Sequence, residues 1–445
     1  MKRYTFTVVC ILITVLLIPC SAFAKLKLPR IFTHRMVLQR GRENLVWGQA
    51  DPEAKVTVTI ADQTVKTQAD KKGHWRTNLP AMKAGGPYKM TVSAGARNRK
   101  TLNSVLIGEV WMCSGQSNMH YPLKGRLGQV PDADQVIAAA KFPRIRWTNG
   151  YGWQGCSPAS AVKFSAVAFF FSRKLHQELE GNVPVGIVNL SYNGSSIESW
   201  LPPDSKGRGE GKRFKSRVRH LMGYGIRGAI WYQGESNMGR VNKYGGQLKR
   251  LINGWRRIWK QDDLPVAVVQ LPPYGKYAKS LPSMWTQQMS ILTMPETGFI
   301  VTTDVGDLKN IHPPRKQEVG ERAALWALAN VYGKKDLVWS GPIMKSVEFR
   351  DDSAVVTFDH VGGGLCTRDE KAPDGFELAG DDGKFAKAKA RIHENTITVS
   401  RKDLPNPTKV RFGWNGRINS NLINKEGLPA RPFRNTSAAN TGDGK

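Results

Sequence analysis

Val105-Leu-Ile-Gly-Glu-Val-Trp-Met-Cys113, followed directly by Ser114-Gly-Gln-Ser-Asn-Met119, is the stretch that decides the fold. The apolar run predicts a buried strand, and the small polar residues after it predict a tight turn into a helix. From about residue 105 to residue 341, runs of this kind alternate with segments of helical periodicity. That alternation is typical of a parallel sheet covered by helices, so we expect a three-layer α/β domain.

Within this domain, strands are predicted at 105–113, 185–190, 228–232, 266–271 and 299–303, and helices at 165–180, 244–259, 283–292 and 317–332.

The rest of the chain falls into two β-like regions around the domain. Before and after it, short alternating runs lie between turns rich in Gly, Pro and Asp, which predicts β-sandwich-like regions at 25–104 and 342–435. Residues 436–445 are small and polar, and we expect a disordered tail.

Residues 1–24 have the organisation of a signal peptide. Lys2 and Arg3 precede an apolar stretch at 4–18, and Ala22-Phe-Ala24 fits the small-x-small cleavage rule. We therefore expect a secreted or periplasmic protein that begins near Lys25. Acylation at Cys20 is the alternative, and Pro19 disfavours it because lipoprotein sites carry a small residue at that place. No later stretch is apolar for long enough to predict an integral membrane segment.

The chain is strongly basic, with 66 Lys and Arg against 36 Asp and Glu. Removal of Lys2 and Arg3 with the leader lowers the formal charge of +30 to +28. The basic residues are spread along the chain without a recognition-helix pattern, which argues against nucleic acid and favours an acidic polysaccharide. Cys113, Cys156 and Cys366 are too widely spaced for a CxxC metal site, so we expect core residues or one incidental bridge.

Polar residues that suit acyl transfer follow three of the predicted strands. Ser117 lies in the turn after the first strand, where its hydroxyl could attack a carbonyl carbon. The backbone N–H of Ser117, the backbone N–H of Gly194 and the side-chain amide of Asn237 could stabilise the resulting oxyanion. Taken alone, Ser117 is more often a helix cap, and the other two are ordinary turn residues.

His312 follows the fifth predicted strand and is the candidate general base. Loops after parallel strands open at the same edge of a sheet, so this histidine can reach back to Ser117. A single histidine is usually structural, and only its position raises His312 above His120 or His360.

Aromatic residues near these loops could stack on sugar rings, with core packing as the alternative. They are Trp153, Trp200, Trp231 and Tyr232. Core packing is favoured for Trp231 because it lies inside a strand.

Several motifs, in order, carry a family resemblance over nearly the whole chain after the leader. They include Gly115-Gln-Ser-Asn-Met119, Trp231-Tyr-Gln-Gly-Glu-Ser-Asn237 and Ile311-His-Pro313 with Lys316-Gln317. The chain resembles the sialate O-acetylesterase family, a branch of the SGNH hydrolases. This resemblance implies Ser117 as nucleophile, His312 as base, the oxyanion donors named above, and no metal or cofactor.

The chain departs from the family pattern beside the histidine. Family members commonly carry an aspartate two or three residues earlier, where this chain has Asn310 and Lys309. Asn310, Asp307, Asp304 or a backbone carbonyl could orient the imidazole instead, and an uncharged partner stabilises the imidazolium less than a carboxylate does.

The leader and the resemblance together predict an exported serine esterase that removes acetyl groups from sugars, either sialic acids or plant or algal polysaccharides. The alternative is a catalytically weak carbohydrate-binding protein, which the missing aspartate supports. A protein that binds nucleic acid or sulfated polymer by charge alone would not need Gly-Gln-Ser-Asn.

Overall fold

The computed structural model describes residues 26–96, 98–180, 183–417 and 419–435. The expected signal peptide at 1–24 and the expected tail at 436–445 lie outside the described residues. No helix within the described ranges is long and apolar enough to span a membrane.

The N-terminal region consists of short strands in antiparallel pairs. They are β1 (Val37–Gln39), β2 (Asn44–Gln49), β3 (Lys55–Ile60), β4 (Gln63–Gln68), β5 (His74–Leu79) and β6 (Gly85–Ala94). β3 pairs with β4 and β6, β2 pairs with β5, and β1 lies parallel to the next strand, β7 (Arg99–Gly115).

β7 connects this region to the central sheet. Its first half pairs with β6 and alternates between exposed and buried residues, whereas Val105–Gly115 is buried throughout. The predicted boundary between residues 104 and 105 thus falls inside one continuous strand, and one hydrophobic core extends across it. Buried Glu109 reinforces the junction by pairing with Arg40 and with Arg227, the latter at 3.0 Å.

The α/β region contains the remaining strands of the central sheet and seven α-helices. Its elements are α1 (Ser117–His120), β8 (Lys124–Gly125), β9 (Gly128–Gln129), α2 (Ala133–Ala138), β10 (Phe142–Thr148), β11 (Trp153–Cys156), α3 (Pro158–Ala161), α4 (Ala166–Glu178), β12 (Val185–Asn189), β13 (Gly228–Tyr232), α5 (Tyr244–Trp259), β14 (Val266–Val269), α6 (Leu281–Met289), β15 (Thr297–Ile300) and α7 (Lys316–Asn330). A π-helical turn at Phe214–Val218 and short 3₁₀ turns, including Ile197–Trp200 and Glu235–Lys243, join them.

The central sheet confirms the predicted α/β class. Its order is β11-β10-β12-β7-β13-β14-β15, and every neighbouring pair is parallel except β10 with β11. Helices cover both faces: Trp111 of β7 contacts Phe171 of α4, while the next residue, Met112, lines a small cavity with Trp259 of α5.

The count of five strands was wrong because β10 and β11 were not predicted. β10 contains Pro143, Arg144 and Arg146, which interrupt the apolar run that marks a buried strand. Arg146 is nevertheless buried, since its side chain bonds to the carbonyl of Pro143 and to Ser104.

The C-terminal region is antiparallel and has a hydrophobic core of its own. Its strands are β16 (Ile343–Arg350), β17 (Ser353–Asp359), β18 (Leu365–Thr367), β19 (Phe376–Ala379), β20 (Ala386–Lys387), β21 (Lys389–His393), β22 (Thr396–Ser400), β23 (Lys409–Phe412), β24 (Leu422–Asn424) and β25 (Phe433–Asn435). Two four-stranded sheets, β16-β17-β22-β21 and β20-β19-β23-β25, form most of it.

Candidate active site

The structure brings Ser117 and His312 together at the C-terminal edge of the central sheet. The Nε2 atom of His312 lies 2.7 Å from the Oγ atom of Ser117. Ser117 is buried apart from a small exposed fraction, and His312 is half-buried. A serine hydroxyl that donates to a neutral imidazole in this way is the arrangement that nucleophilic catalysis requires.

The turn that carries Ser117 depends on Gly115. This glycine has a φ of +138°, and a Cβ atom there would lie 2.1 Å from the carbonyl oxygen of Tyr232 on β13. The backbone N–H of Gln116 donates to the same oxygen at 3.1 Å. Only glycine lets β7 end so close to its neighbour, and this contact fixes where Ser117 begins α1.

The loop before His312 is held by short-range bonds to its backbone. Asn310 Oδ1 accepts the backbone N–H of His312 at 2.9 Å, and Asp307 Oδ1 accepts those of Lys309 and Asn310. Asp304 instead forms a buried bidentate pair with Arg322, at 2.7 Å for both bonds.

None of these side chains holds the imidazole ring. Within the described residues, His312 Nδ1 has no hydrogen-bond partner from a side chain or a carbonyl. The proposed orienters Asn310 and Asp307 therefore act on the loop backbone in this structure, because side chains this short reach the N–H groups two or three residues ahead.

The surroundings of His312 favour its neutral form. Burial lowers the pKa of His312, and the positive charge of nearby Lys316 lowers it further. A base must be unprotonated to accept the serine proton, so both effects widen the pH range in which His312 can act.

A buried polar network that the sequence analysis did not assign lies behind this pair. Lys316 Nζ donates to Asn118 Oδ1 at 2.6 Å, while Asn118 Nδ2 donates to Glu235 and to the carbonyl of Ile311. Asn118 thus joins the nucleophile turn to the histidine loop.

Burial shifts the pKa values of the two charged residues in this network. It lowers the pKa of Lys316 to about 7, although the charge of Glu235 opposes this shift, and it raises the pKa of Glu235. The signal was present in the quoted motifs, which contain all three polar residues.

Within the described part of the chain, two of the three predicted oxyanion donors have a free N–H group, whereas the third is already hydrogen-bonded inside the protein. Gly194 is exposed with a φ of +65°, and neither its N–H nor that of Ser117 has an acceptor among the described residues. Asn237 has no exposed surface: its Oδ1 accepts the N–H of Ile197 at 3.0 Å, and its Nδ2 donates to Glu198 at 3.0 Å. In this arrangement Asn237 supports the loop of Gly194 and does not reach the crevice.

The aromatic residues suggested for sugar stacking are buried in the core. Trp200 and Trp231 form an edge-to-face pair, and neither has exposed surface. Tyr232 is also fully buried, and Trp153 nearly so. Among the described residues, Tyr151 in the loop after β10 and Tyr192 in the loop after β12 are exposed, and the sequence analysis did not select them.

The three cysteines in the described part of the chain are free thiols. Cys113 and Cys156 are buried and Cys366 is half-buried. Among the described residues, no group of three or more His, Cys, Asp or Glu side chains is close enough to hold a metal ion.

Comparisons with known proteins show one family model and several relatives that match this chain. The family model of carbohydrate esterases of the sialic acid-specific acetylesterase type matches residues 107–327, which include Ser117 and His312. Sialate O-acetylesterase from Homo sapiens is 28% identical over 389 residues, covering 70% of this chain and 72% of the human protein. The protein of the same name from Rattus norvegicus is 26% identical over 424 residues, covering 73% and 77%.

A solved structure resembles nearly the whole chain. It is a carbohydrate acetylesterase from Xanthomonas citri, with 33% sequence identity and a TM-score of 0.86. The match covers 92% of this chain and 99% of the other.

Proposed function

Because this chain belongs to the sialate O-acetylesterase family of carbohydrate esterases, we propose that Ser117 and His312 are the nucleophile and general base of its ester hydrolysis. The chain is a carboxylic ester hydrolase, and acetylated carbohydrate is its class of substrate. The observation that carries the residue assignment is the 2.7 Å contact between Ser117 Oγ and His312 Nε2.

In the first half of the reaction, Ser117 Oγ attacks the carbonyl carbon of the acetyl ester while its proton passes to His312 Nε2. The carbonyl oxygen becomes an oxyanion, which the backbone N–H groups of Ser117 and Gly194 are free to bind. His312 then gives its proton to the sugar oxygen, the ester C–O bond breaks, and the acetyl group stays on Ser117.

In the second half, water attacks the acetyl-serine ester and gives a proton to His312. The bond to Ser117 Oγ breaks, the proton returns to that oxygen, and acetate is released. Every proton therefore passes through Nε2 of one half-buried imidazole. To accept the serine proton at Nε2, the neutral imidazole must carry its own proton on Nδ1. Among the described residues, only the contact of Nε2 with Ser117 favours this tautomer.

A catalytically weak carbohydrate-binding protein is the alternative that the unheld imidazole favours. The intact Ser117–His312 contact and the two free N–H groups argue against it, since a binding protein needs neither. The two functions differ in one measurement, which is acetate release by the unmodified chain.

Ser117→Ala tests the assignment. We expect it to lower kcat for 4-nitrophenyl acetate and for an acetylated sugar by about 10⁴-fold or more, because the acyl-enzyme can no longer form. Ser236→Ala is the matched control, since Ser236 is an exposed serine of the neighbouring 235–243 turn. Full activity in Ser117→Ala, or phosphonate labelling of another serine, would contradict the proposal.

A further inference from the structure

The loop after β12 places an exposed ring beside the nucleophile. The backbone N–H of Tyr192 donates to the carbonyl of Gly115 at 3.0 Å, two residues before Ser117. Tyr192 is 36% exposed and lies two residues before Gly194. Tyr192 therefore lies next to the nucleophile turn, on the loop that also carries Gly194.

Two arginines lie over this ring without a counter-charge. The guanidinium carbons of Arg213 and Arg217 are 3.3 Å and 5.0 Å from the centre of the Tyr192 ring. Both side chains are half-buried, and neither forms an ion pair with any described residue. Nearby Arg208 and Arg219, in contrast, pair with Asp204 and Glu210.

A second aromatic and basic pair continues the same surface. Tyr151, in the loop after β10, is 53% exposed, and the guanidinium carbon of Arg30 lies 5.3 Å from the centre of its ring. His220 stacks obliquely on Tyr151 at 5.7 Å. His220 lies three residues after Arg217, in the helical turn at Arg219–Leu221 that directly follows the π-helical turn, so it connects Tyr151 with the arginines at Tyr192.

We infer that these residues, Arg30, Tyr151, Tyr192, Arg213 and Arg217, form a subsite that binds carboxylate-bearing sugar units of an acetylated polysaccharide. This inference rests on the proposed esterase function. We call the five residues the arginine–tyrosine strip.

Three properties of the strip support an acidic polymer as the ligand. Planar guanidinium groups match carboxylates in a two-bond geometry, and stacking on Tyr192 fixes Arg213 and Arg217 before the ligand arrives. Exposed tyrosine rings provide surface for the apolar faces of sugars. The strip has two separate groups: Arg30 lies on Tyr151, and two arginines lie on Tyr192. It therefore has room for more than one sugar unit, and a free monosaccharide would fill only part of it.

The test uses the double variant Arg213→Gln, Arg217→Gln in the full chain. Its kcat/KM is measured on acetylated polygalacturonate, on acetylated glucomannan, which is neutral, and on free O-acetylated sialic acid. We expect the ratio of kcat/KM for polygalacturonate to that for glucomannan to fall about tenfold or more, mainly through KM, because charge-assisted hydrogen bonds are lost. In the unmodified enzyme the same ratio falls as salt rises from about 50 to 300 mM.

The control is Arg391→Gln, which removes an equal kind of charge from exposed Arg391 of β21 and should leave the ratio unchanged. Thermal unfolding of each variant checks the fold. If the ratio of kcat/KM for polygalacturonate to that for glucomannan is unchanged in the double variant, the proposed role of the strip is wrong. A preference of the unmodified enzyme for free sialic acid over polygalacturonate would also contradict it. Either outcome would leave the esterase assignment intact. Failure of the unmodified enzyme to hydrolyse either 4-nitrophenyl acetate or any of the three sugars would overturn both proposals.

Discussion

At the scale of single residues, the imidazole of His312 is the least supported part of the site. Its Nε2 contacts Ser117, but Asn310 bonds to its backbone and Asp307 bonds to the loop before it. A triad aspartate both fixes the tautomer and stabilises the imidazolium, and here no described residue does either through Nδ1. Ser117 and His312 therefore form a pair without a third side chain among the described residues.

We expect substitutions at the two loop positions to have modest effects. Asn310→Asp keeps an acceptor for the His312 N–H, and Asp307→Asn keeps an acceptor for the loop, so kcat should change by less than about tenfold in each case. Loss of a true triad aspartate costs about 10⁴-fold. Steady-state kinetics with 4-nitrophenyl acetate measure both effects, and a loss beyond about a hundredfold from either change would contradict this expectation.

Lys316 should set the acid limb of the pH profile. Below about pH 7 its ammonium group is charged, and that charge adds to burial in lowering the pKa of His312. Lys316→Met removes the charge, so the pKa of His312 rises and the acid limb of kcat/KM moves to higher pH. Exposed Lys309 in the same loop provides the control, Lys309→Met, which should leave the limb in place. A limb that moves to lower pH in Lys316→Met would contradict this account.

At the scale of elements, β7 determines the geometry of the site because it lies between β12 and β13 and ends in the nucleophile turn. The chain leaves β7 toward β10 on the side of β12, and the connection that follows β12 crosses to β13 on the other side, which opens a crevice at the carboxyl end of β7. The close contact of Gly115 with Tyr232 fixes the end of the strand.

Gly115→Ala should lower the free energy of unfolding by about 1–3 kcal/mol, because a Cβ atom at this φ is strained and meets the Tyr232 carbonyl. Activity should fall as well, since Ser117 follows two residues later. Gly246→Ala is the opposite control: position 246 is exposed within α5 and a Cβ atom there meets nothing within 4 Å, so stability should rise by about 0.5–1 kcal/mol. Urea unfolding measures both, and equal stabilities of the two variants would refute the assigned contact.

At the scale of the whole molecule, the N-terminal strands and the α/β region behave as one body, whereas the C-terminal strands have a core of their own. Glu109 of β7 contributes to the first junction through Arg40 and Arg227. Although burial would raise the pKa of Glu109, the charge of Arg227 and the hydrogen bonds of its partners outweigh burial and lower it. The ion pairs of Glu109 with its two arginines thus stabilise the fold at neutral pH. This contribution is lost as the pH falls through the lowered pKa of Glu109.

Export is the remaining proposal at this scale, and it rests on the basic start, the apolar stretch and Ala22-Phe-Ala24. Mass spectrometry of the protein from the medium or periplasm should give a first residue of Lys25. An acylated Cys20 at the N-terminus would identify a lipoprotein instead, and an unprocessed chain retained in the cytoplasm would exclude export.

The sequence alone predicted the α/β class, the positions of five strands along the chain and the placement of Ser117 and His312 at one edge of the sheet. The physical reason is that periodicity records which residues are buried, and parallel strands bring their following loops to one edge regardless of distance along the chain. Five strands of the sheet were predicted in this way, while β10 was missed because its buried Arg146 breaks the apolar pattern.

Only the tertiary structure decided which polar groups meet and which surfaces remain open. Asn118 and Glu235 are 117 residues apart in sequence, and no local pattern pairs them. Asn237 and Trp200 look available in the sequence but are buried, whereas Tyr151 and Tyr192 are exposed in the loops after β10 and β12. Exposure and hydrogen-bond partners depend on the packing of distant segments around each side chain, and that packing exists only in the folded chain.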